Sequence, residues 1–355
     1  MNTIPAITIG LDLGDKKHAV CVIDQAGTII DERTINNHPE SLRRLSLKYP
    51  QSRVALEVGT HSPWTSRLLR DLGHEVIVAN PRKLRAIYAS DRKSDQTDAR
   101  MIARLARVDP ELLHPISHAT EQAQRDLLQV KLRDNLVRQR VAIISSVRFT
   151  LKSLGVRLPS PATTCFAKRC RTILTDGNQD LLDMIEPSLQ ILDLLTQNIR
   201  ELERKIEELC QNHYPATARL RQVPGVGPIT SLSFVLTIGD PQRFDCPRDI
   251  AAYLGLVPKR DQSGNLDKQL RITKAGAAHL RQLLVGSAQY ILGHFGPDCD
   301  LKRRGLALAA RGGRAAKKKA IVATARKLSV ILLTLWKSGE DYQPLRDAPP
   351  KENAA

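Results

Sequence analysis

Aromatic side chains make up only 4% of this 355-residue chain. That scarcity argues against a nucleic-acid surface of the kind that stacks successive bases on exposed rings, and favours contacts to phosphate. No stretch approaches the roughly 20 uninterrupted apolar residues that span a bilayer, and the opening Met1-Asn-Thr-Ile-Pro lacks the basic segment and small-residue cleavage site of a secretory signal. A cytoplasmic protein with no membrane partner is therefore expected. The six cysteines (Cys21, Cys165, Cys170, Cys210, Cys246 and Cys299) form neither a Cys-x-x-Cys pair nor a Cys/His zinc spacing, and are expected to be reduced, mostly structural thiols. Acidic residues are also in deficit, 37 against 54 Lys and Arg, for a formal charge of +17. A polyanionic partner follows. The imbalance is concentrated late: residues 258–339 carry 17 basic and 4 acidic side chains, and none of the acids lies between Leu301 and Gly339.

With 42% hydrophobic residues the chain has enough apolar surface to bury cores in more than one domain. Ile7, Ile9, Leu11 and Leu13 alternate along a predicted strand and put Thr8, Gly10 and Asp12 on its other face. Strands at Ala19 to Ile23 and Thr28 to Ile35 flank the turn-rich Asp24-Gln25-Ala26-Gly27. Helices at about Pro39–Tyr49, Pro63–Leu72 and Ser94–Arg107 alternate with strands at Arg53–Glu57 and Glu75–Val78, so a mixed sheet flanked by helices is expected. From Thr120 the apolar period lengthens to three and four residues. It defines one long helix ending before Pro159 and a second over Leu181–Leu209, able to pair with each other or with a second copy. Past Tyr214-Pro215, the segment Val223-Pro-Gly-Val-Gly-Pro228 before a helical stretch has the form of a helix-hairpin-helix turn, whose amides at Gly225 and Gly227 can meet a phosphate.

Four acids stand at positions suited to chemistry: Asp12, Glu57 at a strand end, and Asp95 with Asp98 in Ser94-Asp-Gln-Thr-Asp-Ala99. Asp95 and Asp98 share a helix face, and a helix packed across the first strand brings them toward Asp12 and Glu57. Hard oxygen donors in that number suit Mg²⁺ or Mn²⁺, which activates oxygens in phosphoryl transfer. Taken singly, Asp95 and Asp98 are better explained as helix-terminal acids and Glu57 as an exposed strand end, whereas the four together favour a metal site. Asp91 is the natural substitute within the pair. A second cluster, Lys259-Arg-Asp-Gln-Ser-Gly-Asn265, sets Ser263 in a polar glycine-containing loop near Lys259, Arg260, Lys268, Arg271 and Lys274. Cations so placed attract phosphate and offset charge that builds up in transfer, although such a serine by itself is more often a turn residue.

These segments together resemble the DEDD-type transposases of insertion sequence family 110. The resemblance runs through Gly10-Leu-Asp-Leu-Gly14, Glu57 and Ser94–Arg100, and again through Pro224–Pro228, Ile238-Gly-Asp240, Phe244, Ala252–Pro258, Ser263-Gly264 and Ile272–Gly276. It implies an α/β plus α architecture. The parts would be a RuvC-like (RNase H-like) mixed-sheet domain over residues 1–115, a helical coiled-coil region over 116–215 and a mostly helical C-terminal transposase domain over 216–340, with a disordered tail over 341–355. The resemblance further implies that Asp12, Glu57, Asp95 and Asp98 bind Mg²⁺ or Mn²⁺ and that Ser263 is the nucleophile of a covalent phosphoserine–DNA intermediate. Its partners would be donor and target double-stranded DNA and a structured noncoding bridge RNA, and its site of action the bacterial nucleoid. Holding two duplexes implies a homodimer or homotetramer. The chief alternative is a metal-dependent junction nuclease in which the serine is idle. An ATPase of the actin or sugar-kinase class shares the Ile9–Gly14 pattern but needs a second glycine-rich phosphate loop and an adenosine motif, and neither occurs. The basic stretch around Arg311 and Lys317-Lys-Lys319 matches no motif.

Overall fold

The computed structural model describes residues 5–82, 94–158, 163–175, 177–263 and 266–346, with the side chains of 261, 263 and 266–269 outside that description. Contacts divide the chain into two compact units, at Ala119 and Thr120.

The first unit follows the order β1 (Ile7–Leu13), β2 (Lys17–Asp24), β3 (Ile29–Asn36), α1 (Pro39–Lys48), β4 (Arg53–Glu57), α2 (Ser62–Asp71), β5 (Glu75–Ala79) and α3 (Asp95–Val108). The strands form one sheet in the order β3-β2-β1-β4-β5. β1, β2 and β3 pair antiparallel, while β4 lies parallel to β1 and β5 parallel to β4. Alternation along β1 assigns its two faces as expected. Ile9 and Leu11 join Val20, Val22, Val54 and Leu56 in a core closed by Leu42 and Leu45 of α1 and Leu69 of α2. The other face is covered by α3, whose Ala99, Ile102, Ala103 and Ala106 recur at helical spacing and lie over Ala19, Cys21 and Ala55.

Gly10 sets how closely α3 approaches. A Cβ at this position would stand 2.1 Å from the Ala99 carbonyl oxygen and 2.7 Å from the Ala103 nitrogen, so only glycine lets the helix backbone rest on the strand. Hydrogen bonds then fix the direction of the helix. Arg107 Nη1 donates to the Gln25 carbonyl (3.0 Å) in the β2–β3 turn, and Gln96 Nε2 donates to the Val20 carbonyl (3.3 Å). Val20 is the register partner of Leu11. The first turn of α3 is therefore level with the carboxyl end of β1, and its last turn with the amino end.

The second unit contains α4 (Glu121–Ser153), α5 (Phe166–Thr175), α6 (Gln179–Asn212), α7 (Ala216–Leu220), α8 (Pro228–Ile238), α9 (Asp249–Tyr253), β6 (Pro258–Ser263), β7 (Leu266–Ile272), α10 (Ala278–Leu292), α11 (Asp300–Ala309) and α12 (Gly313–Ser338). The two long helices α4 and α6 pair antiparallel within the chain. Arg133 bridges to Glu203, and Tyr214 Oη donates to Asp126 Oδ2 at 2.6 Å. At one end of the pair, α5 inserts Phe166, Cys170 and Leu174 against Ile144, Leu151 and Leu189. At the other, Val130, Ile206 and Cys210 share a core with Leu232 and Leu236 of α8, which ties the long helices to the C-terminal region. The C-terminal core is built from Phe234, Leu280, Leu284, Leu328 and Leu332.

The segment expected to be a disordered tail begins instead as packed chain. Tyr342 lies against the C-terminal core, its amide donates to Gln222 Oε1 (2.7 Å), and the Asp300 amide donates to the Pro344 carbonyl (2.8 Å). Residues 347–355 lie outside the described residues. All six thiols are free, four of them buried. Among the described residues no helix is long and apolar enough to cross a membrane.

Candidate functional site

The four acids fall at one end of one sheet face. Gly10 pairs with Ala55 and Leu11 with Leu56, so Asp12, next to last in β1, and Glu57, last in β4, come one step further on near the carboxyl ends of adjacent parallel strands. By strand alternation Asp12 shares the face of Gly10, and Glu57 that of Ala55, the face α3 covers. Ser94 caps α3, its hydroxyl accepting from the Thr97 amide at 3.2 Å, which makes Asp95 and Asp98 first-turn residues. Asp98 is buried, as a carboxylate placed only to favour the helix dipole on an open surface would not be, whereas Asp95 is exposed. Asp12 and Glu57 are half-buried, and both, like Asp98, have interaction partners.

Carboxylates are the right donors for a hard divalent cation, and the backbone carries them to a common edge. Among the described residues, no three Asp, Glu, His or Cys side chains come together closely enough to hold an ion. The fit thus rests on donor chemistry and on shared face, with the side chains not drawn in around a single point. Asp91, the expected substitute, lies outside the described residues.

Ser263 is not in an open loop as expected. It is the last residue of β6, paired with Leu266 at the closed end of a two-stranded antiparallel ribbon, and its side chain lies outside the described residues. β6, Pro-Lys-Arg-Asp-Gln-Ser, has no apolar row, so the sequence reads as loop there, although Leu266, Leu270 and Ile272 of β7 fall at even spacing. Lys259 and Arg260 are exposed on β6 and Arg271 on β7, with Lys268 opposite Asp261 in the register. The side chain of Lys268 also lies outside the described residues.

The root of the ribbon is built with unusual closeness. Gly255 and Gly276 both have positive φ (67° each). A Cβ on the first would stand 2.2 Å from the Ala275 nitrogen and on the second 2.1 Å from the Tyr253 carbonyl oxygen. The Thr273 and Lys274 amides donate to the Val257 (2.9 Å) and Gly255 (3.1 Å) carbonyls. Arg281 Nη1 closes the junction, donating to the carbonyls of Leu254 (2.9 Å) and Ala275 (2.7 Å). Arg281 is a positioning residue that the sequence did not flag, since no local pattern links it to the two loops it joins. Lys274 is exposed at φ 54°, where those loops meet.

The turn containing Gly225 and Gly227 lies between α7 and α8. Gly227 caps α8, and Gly225 (φ 76°) packs on α10, where a Cβ would lie 3.0 Å from the Ser287 carbonyl oxygen. A cleft of about 800 Å³ opens here, lined by Arg221, Gly225, Gly227, Thr230, Gln282 and Tyr290 among others.

Known proteins match the chain in two segments. A DEDD-type transposase model matches residues 9–155, and the model for transposases of the IS116/IS110/IS902 family matches residues 217–300. The chain is 28% identical over 340 residues to the transposase for insertion sequence element IS1111A of Coxiella burnetii, an alignment covering 94% of this chain and 91% of that protein. It is 28% identical over 290 residues to the transposase for insertion sequence element IS1328 of Yersinia enterocolitica, with 81% and 84% covered. A putative transposase of Sinorhizobium fredii is 30% identical over 309 residues, with 83% and 76% covered. The chain belongs to the IS116/IS110/IS902 family of insertion-sequence transposases.

Proposed function

We propose that this transposase recombines DNA at specific sites under the direction of a noncoding RNA, using the carboxylates of its first unit with Mg²⁺ or Mn²⁺ and Ser263 as the nucleophile. The observation that carries the proposal is the placement of Asp12 and Glu57 at adjacent strand ends, on the face covered by α3, whose first turn holds the buried Asp98. Sheet order and strand directions favour an RNase H-like assignment for the first unit. Asp12, Glu57, Asp95 and Asp98 would hold the cation, which when bound would supply Lewis acidity toward phosphate oxygens.

Ser263 Oγ forms a new bond to phosphorus as the bond from phosphorus to a deoxyribose oxygen breaks. The serine proton leaves to a base, the departing oxygen gains a proton, and a phosphoester is conserved for reversal onto a new strand. Lys259, Arg260, Lys268, Arg271 and Lys274, on or beside the ribbon, offset the charge that develops. The amides of Gly225 and Gly227 position duplex phosphates. Abundant cations with few aromatics suit recognition of backbones, and base pairing with the RNA supplies the sequence specificity. The working form is a homodimer or homotetramer, since two duplexes must be held at once.

The test is a denaturing gel of the protein with Mg²⁺, donor and target DNA and RNA transcribed from the flanks of its gene. A protein–DNA adduct present with Ser263 and absent in Ser263→Ala is expected, and Asp12→Ala should lower recombination by at least about 10³-fold. Cleavage that persists in Ser263→Ala would reassign the protein as a metal-dependent nuclease, and recombination without RNA would remove the guide.

A further inference from the structure

Phe295 is 84% exposed, in a chain with only five phenylalanines. It sits between α10 and α11 beside His294, the two rings meeting edge to face with centroids 5.3 Å apart. The turn that carries them is fixed. Lys302 Nζ donates to the carbonyls of Gly293 (3.1 Å) and Gly296, the Gly296 amide donates to the Gly293 carbonyl (3.3 Å), and Asp298 is paired with Arg303. A half-buried ammonium thus holds the turn that presents a solvent-exposed phenyl ring, at a hydrophobic cost that packing does not repay.

Next to this turn is a groove of about 300 Å³, at the small end of the range for ligand sites. Leu292, Leu306, Ala309 and Ile321 give it apolar walls, with Gln289 and Lys317 as its polar groups. Gly293 belongs both to the groove and to the start of the turn, so the turn that carries Phe295 begins at the groove's edge. The surrounding helices are basic: Arg311, Arg314, Lys317, Lys318 and Lys319 are all exposed, and no acid occurs from Leu301 to Gly339.

We propose that Phe295, with His294, is a stacking platform for one unpaired base of DNA, which the groove between α10, α11 and α12 receives while Lys317 and the neighbouring cations hold the flanking phosphates. A flat apolar ring, an apolar slot and the run of cations on α12 together match a nucleotide withdrawn from its duplex. The proposal rests on the reading of the protein as a DNA transposase and adds to it a site at which strand separation is sensed or stabilised.

The test uses the full chain and a duplex carrying one bulged 5-iododeoxyuridine, compared with the same duplex fully paired and with an equivalent bulged RNA duplex. Fluorescence anisotropy should show about tenfold tighter binding to the bulged DNA. Irradiation should cross-link the iodinated base to the peptide containing His294 and Phe295. Phe295→Ala should abolish the preference and leave paired-duplex affinity unchanged, Phe295→Trp should keep it, and Leu306→Asp should weaken it through the groove alone. Equal affinity of the wild type for bulged and paired DNA, a preference that survives Phe295→Ala, or a preference confined to bulged RNA would each overturn the proposal while leaving the transposase reading intact. Failure of the wild type to bind any DNA would remove both.

Discussion

The carboxylate edge of the first unit and the serine ribbon of the second are held in opposite ways. Asp12, Glu57 and Asp98 sit on elements fixed by burial: β1 and β4 are covered on both faces, and α3 lies against Gly10 with no side chain between. The ribbon of β6 and β7 is rich in polar residues and is held at its root, where two glycine loops and Arg281 interlock. Hydrophobic packing distributes its support over many contacts, whereas the ribbon depends on a few backbone hydrogen bonds. The first arrangement should therefore fail by large loss of stability, and the second by misplacement at modest cost.

Gly10→Val gives the largest effect and tests the packed edge. Its side chain would enter the space of the Ala99 carbonyl, displacing α3 and costing about 3 kcal/mol. The expected result is a lower midpoint of chemical denaturation with loss of recombination, and an unchanged midpoint would mean that α3 is not seated on β1. Arg281→Ala tests the ribbon. Removing two charge-assisted hydrogen bonds to backbone carbonyls should cost about 2 kcal/mol. Covalent adduct yield should fall further than stability explains, and a variant that kept full adduct yield would separate Arg281 from the positioning of Ser263.

The smallest effect is one of pH, to which histidines of the first unit contribute. Burial lowers the pKa of His74, which hydrogen-bonds Ser46 Oγ (2.8 Å) and Ser52 Oγ (3.0 Å). Burial, then Arg70 and Arg67, lowers that of His118. Both take up protons more readily when unfolded, near the ordinary value of about 6.5, so their stabilisation is complete above that pH and is lost as pH falls through their lower folded values. Melting temperature should drop between pH 7 and pH 5, and less steeply in His74→Gln. A parallel pH profile in that variant would acquit His74.

The first unit was largely legible because alternation in β1, the Ser94 cap and the spacing of Ala99, Ile102, Ala103 and Ala106 are local statements of burial. That Ser263 ends a strand was not legible, because β6 carries no apolar alternation to follow. The stripes of α4 and α6 fit an intrachain pair and a dimer equally, and the tail looked unstructured because its anchors, Gln222 and the Asp300 amide, are distant in sequence.

By itself the sequence determined the alternation of strands and helices, the positive field of the C-terminal region and the candidate chemical residues, because each depends on side-chain type and near-neighbour spacing. Only the tertiary structure decided that α3 runs antiparallel to β1, so that its first turn, with Asp98, is level with the strand ends that carry Asp12 and Glu57. It alone also decided that Arg281 locks the root of the ribbon and that Phe295 is held out beside a groove. Those outcomes depend on backbone hydrogen bonds and close approaches between residues far apart in the chain, for which no local pattern is required.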